Sequence, residues 1–370
     1  MKRIAALDML RGYALVGIML DHMPIGVLRQ VTLANFAVFD AAELFVLLSG
    51  FLVGMVWIKV EARKGRWVAQ KRFFKRAVQV WLALVIGSLL LALLSALLFE
   101  FQLNHKAVWF QYSRWIMENP LGYLATVALM WMQPNLMDVL ALYVLLIATV
   151  PVTVPFMLRF PWLALAVSLL VWWFAEPLNA LIPNQRPGPG LLFNPFGWQL
   201  LFFAGVGMGA FRDRMMSALA RHARLLTWVA VLIVLFSLTI AITRMIGPSA
   251  KPFALFLRGI HGPIDKWSLD GLRLISILAA SWLVAMPLAP AFAWMAATGP
   301  GRALAEIGRG GLFSFVACVL LSIIGDAMGM IAPEGARGFV ARLGIDIWVT
   351  VALWAAAATW MRREVWLGRK

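Results

Sequence analysis

From residue 4 to residue 361 the chain is a succession of long apolar runs with short polar breaks, and no other feature constrains its fold as much. About 20 such residues, rising 1.5 Å each, cross a hydrocarbon core of roughly 30 Å. Within lipid, every backbone polar group must be satisfied inside its own segment, so repeated runs of this kind demand helices. Hydrophobic residues make up 62% of the 370 and charged residues 14%, against roughly 25% charged in soluble domains. Mean hydropathy is +0.84. No polar stretch exceeds about two dozen residues, which leaves no room for a separate soluble domain. Residues 1–370 are therefore expected to form a single integral-membrane domain.

Reading the runs and their breakers predicts an all-α, polytopic transmembrane bundle of ten spans, near 7–27, 38–58, 75–98, 136–155, 161–176, 197–211, 225–246, 271–291, 308–330 and 341–361. Residues 121–132 are apolar but short and lie between Pro120 and Pro134, so they read as a re-entrant or interfacial helix. Tryptophans near the predicted span ends, among them Trp57, Trp67, Trp109, Trp162, Trp198 and Trp267, suit interfacial belts. Lys2 and Arg3 precede the first run, but Asp8 and Arg11 interrupt it and no A-x-A site closes it, so this span is expected to be retained.

A net charge of +16 would suggest nucleic acid in a soluble chain. Here its distribution follows the positive-inside rule, so no nucleic-acid partner is expected. With both termini in the cytoplasm, cytoplasmic segments hold about 20 of the 33 basic residues and the outer loops about 8. The densest segment is 59–76, which includes Arg72, Lys75 and Arg76. A second cluster lies at 212–224, and Arg369 and Lys370 close the chain. The lone Cys318 and the four scattered histidines, His22, His105, His222 and His261, carry no metal-ligand spacing, so no metal is expected. In the run Gly205, Gly207, Gly209 no strand precedes the glycines, and they read as close helix packing rather than a nucleotide loop.

Ionisable groups in a span are costly and usually face the bundle interior or a wet cavity. The first span holds Asp8, Arg11, Asp21 and His22. Eleven residues separate Arg11 from His22, which at 100° per residue puts both on one face, about 16 Å apart along the axis. Asp8 lies on the same side. One stripe thus joins a cation near the cytoplasm to a titratable base near the outside, as expected if a donor enters from the cytoplasm and its reactive end is delivered outward. Asp8 and Arg11 also suit a simple i, i+3 pair. The second span opens on Asp40 and Glu43, at the depth of His22 if the two spans pack antiparallel. A carboxylate there would support His22 as a general base, and Asn35 in the connecting loop offers a further hydrogen bond. Asp40 with Glu43 three residues on is also a capping-box pattern.

Residues 7–28 (LDMLRGYALVGIMLDHMPIGVL) and 33–54 (LANFAVFDAAELFVLLSGFLVG) resemble the start of the OpgC family, which modifies osmoregulated periplasmic glucans. The spacing of Arg11 and His22 and the run from Phe45 through Ser49 to Leu52 are similar to patterns of the broader acyltransferase-3 superfamily. Residues 133–146, 193–209, 270–278 and 307–322 also look like OpgC, in the same order, although Gly308-Arg309-Gly310-Gly311 departs from the bulkier polar pair expected there.

The resemblance implies a multi-pass protein of the bacterial inner membrane that transfers an acyl group, succinyl in OpgC itself, from cytoplasmic acyl-CoA to hydroxyls of a periplasmic glucan. Taken together with the residue reading above, it points to His22, Asp40 and Glu43 as catalytic residues; Arg11, Asp8, Ser49 and Arg72 toward the donor; and Asn35, Asp138, Gln199 and Arg273 toward the acceptor or acyl group. Acyl-CoA, succinyl or acetyl, would be a co-substrate, with no tightly bound cofactor. A transporter or flippase whose intramembrane charges handle a glycan is the competing reading, as is a non-catalytic scaffold. Oligomeric state is left open by the sequence.

Overall fold

The computed structural model describes residues 4–103, 110–184 and 190–366; Lys2, Arg3, His105, Trp109, Arg369 and Lys370 lie outside them. The described residues contain helices and no strand. The main helices are α1 (Ala5–Asp21), α2 (Ala41–Lys64), α3 (Arg66–Glu100), α4 (Pro120–Ala128), α5 (Asp138–Arg159), α6 (Pro161–Trp173) and α7 (Pro195–Ala210). They continue with α8 (Ala223–Ile246), α9 (Lys251–His261), α10 (Gly271–Ala285), α11 (Ala289–Ala297), α12 (Gly299–Gly310), α13 (Leu312–Met330) and α14 (Gly335–Trp366).

Local sequence sets the helix ends. Asn119, Asn194, Asp270 and Thr298 each accept a backbone N–H at an N-terminus, and Pro120 and Pro195 occupy first-turn positions where no donor is needed. Gly65, at φ +82°, lets the chain turn between α2 and α3.

Among the described residues, six helical stretches are long and apolar enough to cross a membrane, or seven if the bent pair α10–α11 counts as one span. The outward surface agrees with a lipid solvent. On α3, Leu82, Ile86, Leu90, Leu93 and Leu97 form an exposed stripe at helical spacing, while Gly87, Ser88 and Ser95 are buried. Water would make so large an apolar surface unfavourable; lipid does not. The chain is a membrane protein.

Several predicted boundaries change. The helix of the expected first span ends at Asp21, because Pro24 and Gly26 follow, and His22 becomes its C-cap. The eighth breaks after Ala285 into α10 and α11, bent by 73°. The ninth begins at Leu312: Gly311, at φ +63°, separates it from α12, so Gly308 to Gly310 belong to a different helix. Helix α4 has 9 residues, about 13 Å of rise and too short to span alone. Trp67 and Trp162 are exposed as a belt requires, but Trp57 and Trp198 are fully buried core residues.

Two close helix contacts organise the core. A Cβ at Gly50 or Gly54 of α2 would strike the backbone carbonyls of Phe202 and Val206 on α7, and one at Gly205 or Gly209 would strike those of Leu47 and Phe51 in return. Between helices in lipid there is little hydrophobic drive, so such backbone approach supplies the packing. Gly207 has no atom within reach of its Cβ position and takes no part. On α1, Gly12 meets the Leu304 carbonyl of α12, and Gly308 meets that of Asp8. Helix α1 also packs on α2 and α13.

Candidate functional site

The α1–α2 pair carries polar chemistry at both ends, with packed apolar residues between. At the first end, Asp40 caps α2 as its sequence suggests: its Oδ1 accepts the Ala42 N–H at 2.8 Å, and Glu43 Oε2 accepts the Asp40 N–H at 3.0 Å. The other carboxylate oxygens face α10 and the loop before it. Arg273 donates from Nε to Glu43 Oε1 at 2.6 Å, and its Nη2 reaches the same oxygen and Asp40 Oδ2, the latter at 3.3 Å. Lys266 Nζ lies 2.7 Å from Asp40 Oδ2. Burial opposes charge on Asp40, and the Lys266 and Arg273 cations beside it offset that charge. Burial likewise disfavours charge on Lys266, and Asp40 and Glu43 reverse that.

His22 stands beside this cluster, within electrostatic range of Asp40, Lys266 and Arg29, and is solvent-exposed. Its Nδ1 lies 2.6 Å from the Ile18 carbonyl oxygen. A carbonyl only accepts, so Nδ1 carries the proton and Nε2 keeps its lone pair. The expected support of the imidazole by Asp40 or Glu43 is thus supplied by the helix backbone. Next to it, Thr32 Oγ1 donates to Asp21 Oδ1 at 2.5 Å. The loop after His22 is held by Asp346 of α14, fully buried, whose Oδ2 accepts the Leu28 N–H at 2.7 Å.

At the opposite end of α2, a cavity of about 490 Å³ opens among α1, α2, α3, α5 and α13. Arg11, Ser49, Arg72, Lys75 and Arg76 line it, with no acidic side chain among its lining residues. Arg72 and Lys75 are exposed while Phe73, Val80 and Phe315 are buried, so it reaches from the surface into the core. Arg76 feels the charges of both Arg11 and Arg72. Like charges gathered this way favour an anionic occupant.

The sequence-derived residues therefore separate. Arg11, Ser49 and Arg72 share the cavity. Asp8, buried, lies where α1 meets Gly308 of α12 and does not line it. Arg273, Asp40 and Glu43 form one buried group. Asn35 bonds the Arg29 carbonyl within its own loop at 2.7 Å. Gln199 exchanges hydrogen bonds with Ser168 of α6, at 2.6 and 2.8 Å, tying α7 to α6. Asp138 is buried at the start of α5 and accepts the Val139 N–H. The acceptor-side residues Asn35, Asp138, Gln199 and Arg273 thus have separate hydrogen-bonding surroundings.

Lys266 had no signal in the sequence, since it sits in a short loop and its partner lies on another helix. Tyr143 lies within the apolar run of α5. Its hydroxyl in fact donates to the Phe45 carbonyl at 3.0 Å.

A family model described as "OpgC protein" matches residues 3–364. Curated proteins and solved structures gave no match.

Proposed function

This chain belongs to the OpgC family, and on that premise we propose that it is an inner-membrane O-acyltransferase moving an acyl group, succinyl or acetyl, from cytoplasmic acyl-CoA to a hydroxyl of a periplasmic glucan. The observation that carries the reading is the cavity lined by Arg11, Arg72, Lys75 and Arg76, without a carboxylate, at the end of the α1–α2 pair opposite His22. Arginine and lysine suit the phosphates of such a donor. In this proposal the six long stretches, the bent pair α10–α11 and the shorter helices α1, α6 and α7 make up ten spans, with both termini cytoplasmic. The 35-residue α3 rises about 52 Å, so its basic end extends beyond the hydrocarbon core.

In this mechanism Nε2 of His22 takes the proton of the acceptor hydroxyl as its oxygen bonds to the thioester carbon. The C–S bond then breaks, the CoA thiolate leaves, and the proton on His22 passes to it. His22 is exposed, so an acceptor reaches it from its own side of the membrane.

The test is purified protein with acyl-CoA and glucan. His22→Ala is expected to lose transfer while CoA still raises its thermal stability, because a ligand that binds only the folded state stabilises it. Retained transfer in that variant would overturn the role of His22. Absence of any CoA stabilisation in the unmodified protein would overturn the donor assignment.

A further inference from the structure

The cavity and His22 lie toward opposite ends of α1, and His22 is not among the residues that line the cavity. Between Arg11 and His22 on α1, Leu15 and Met19 have no exposed surface and Ile18 is 8% exposed. The inner wall of the cavity is formed by Phe45, Tyr143 and Phe315. The Phe45 ring meets Tyr143 edge-on at 5.5 Å and lies 5.9 Å from Phe315, and Tyr143 in turn meets Phe202 at 6.5 Å. Five residues separate Phe45 from Asp40, about 7.5 Å of helical rise. An acyl group entering beside Arg11 therefore meets the Phe45 ring before it reaches the charged cluster next to His22.

We propose that Phe45, braced by Tyr143 and Phe315, is a septum that selects the acyl group by length. This rests on the acyl-transfer reading above. Tyr143 is pinned, since its hydroxyl donates to the Phe45 carbonyl, and Phe315 is 1% exposed within α13. Phe45 is the ring of the three that lies under a charged side chain, with the Arg11 guanidinium carbon 6.0 Å from its centroid. A donor anion drawing Arg11 away loosens that contact, so donor binding and ring displacement are coupled. The space released is that of one phenyl ring between packed neighbours, which admits a short acyl chain and rejects a long one. Until a donor displaces it, the packed ring also keeps water from passing between the cavity and the His22 side.

The experiment compares unmodified protein with Phe45→Ala, using acetyl-, succinyl-, hexanoyl- and octanoyl-CoA, with transfer to glucan and hydrolysis both measured. Phe45→Ala is expected to raise kcat/KM for the longest donor relative to the shortest by about tenfold or more, the scale of methylene discrimination in an apolar pocket. Donor hydrolysis rises with it, and stabilisation by CoA persists, showing an intact cavity. An unchanged length preference in folded, CoA-stabilised Phe45→Ala overturns the septum and leaves the acyl-transfer reading standing. Should Phe45→Ala not fold, Phe45→Leu is expected to give a smaller shift of the same sign, and no shift there overturns it equally. No transfer from any donor by the unmodified protein overturns both.

Discussion

Arg273 on α10 donates from Nε to Glu43 Oε1 on α2 at 2.6 Å, joining residues 230 positions apart. Glu43 has no exposed surface and Arg273 is 6% exposed. Removing one partner of such a pair costs about 3–5 kcal/mol, because the other charge stays buried without compensation, whereas replacing both by apolar residues is often near neutral. Arg273→Met is thus expected to lower the melting temperature in detergent more than Glu43→Leu/Arg273→Met does. Equal or additive losses would show that the pair is not what holds α2 to α10.

Asp346 fixes the loop that follows His22 by accepting the N–H groups of Leu28 and Val27. Asp346→Asn keeps an oxygen that can accept; Asp346→Leu does not. The leucine variant is expected to lose kcat by about tenfold or more through misplacement of His22, with donor KM unchanged, and the asparagine variant to retain most activity. Steady-state kinetics with varied acyl-CoA reads the difference.

The glycines of α7 are not equivalent. Gly205→Ala drives a methyl group into the Leu47 carbonyl of α2, while Gly207→Ala meets nothing. Overpacking of this kind costs about 1–3 kcal/mol. A clear drop in melting temperature is expected for the first and almost none for the second, and matching values would contradict the α2–α7 contact.

Charge in the cavity sets donor affinity. Arg72→Met or Arg76→Met each removes a charge-assisted contact worth about 1.5–3 kcal/mol, so donor KM is expected to rise roughly tenfold or more. Because Arg72 is solvent-exposed, its contribution should fall as ionic strength rises. Titrating CoA by thermal shift across salt concentrations checks this, and a salt-independent affinity would count against it.

The first helix was legible in sequence because its signal is local. Apolar residues interrupted by Asp8, Arg11 and His22 at helical spacing can be read from one segment, and so can the Asp40–Glu43 capping box. The hydropathy of Met23, Ile25 and Val27 outweighs the Pro24 break in the sequence, so the expected span runs past the helix end at Asp21. The single predicted span at 308–330 hid a turn at Gly311, where a left-handed residue changes direction without changing hydropathy.

The sequence by itself determined the class of solvent, the helices, and the polar stripe from Arg11 to His22, because each depends on residues within one segment and on the hydrocarbon thickness they must match. The tertiary structure alone decided what those polar groups face. Asp40 and Glu43 meet Lys266 and Arg273 rather than hydrogen-bonding the imidazole, Gln199 meets Ser168, and Arg11 joins Arg72 and Arg76 around one cavity. The reason is electrostatic: in a low-dielectric interior a buried charge must find its partner wherever the packing of other helices brings one, and helical periodicity does not encode which helix that is.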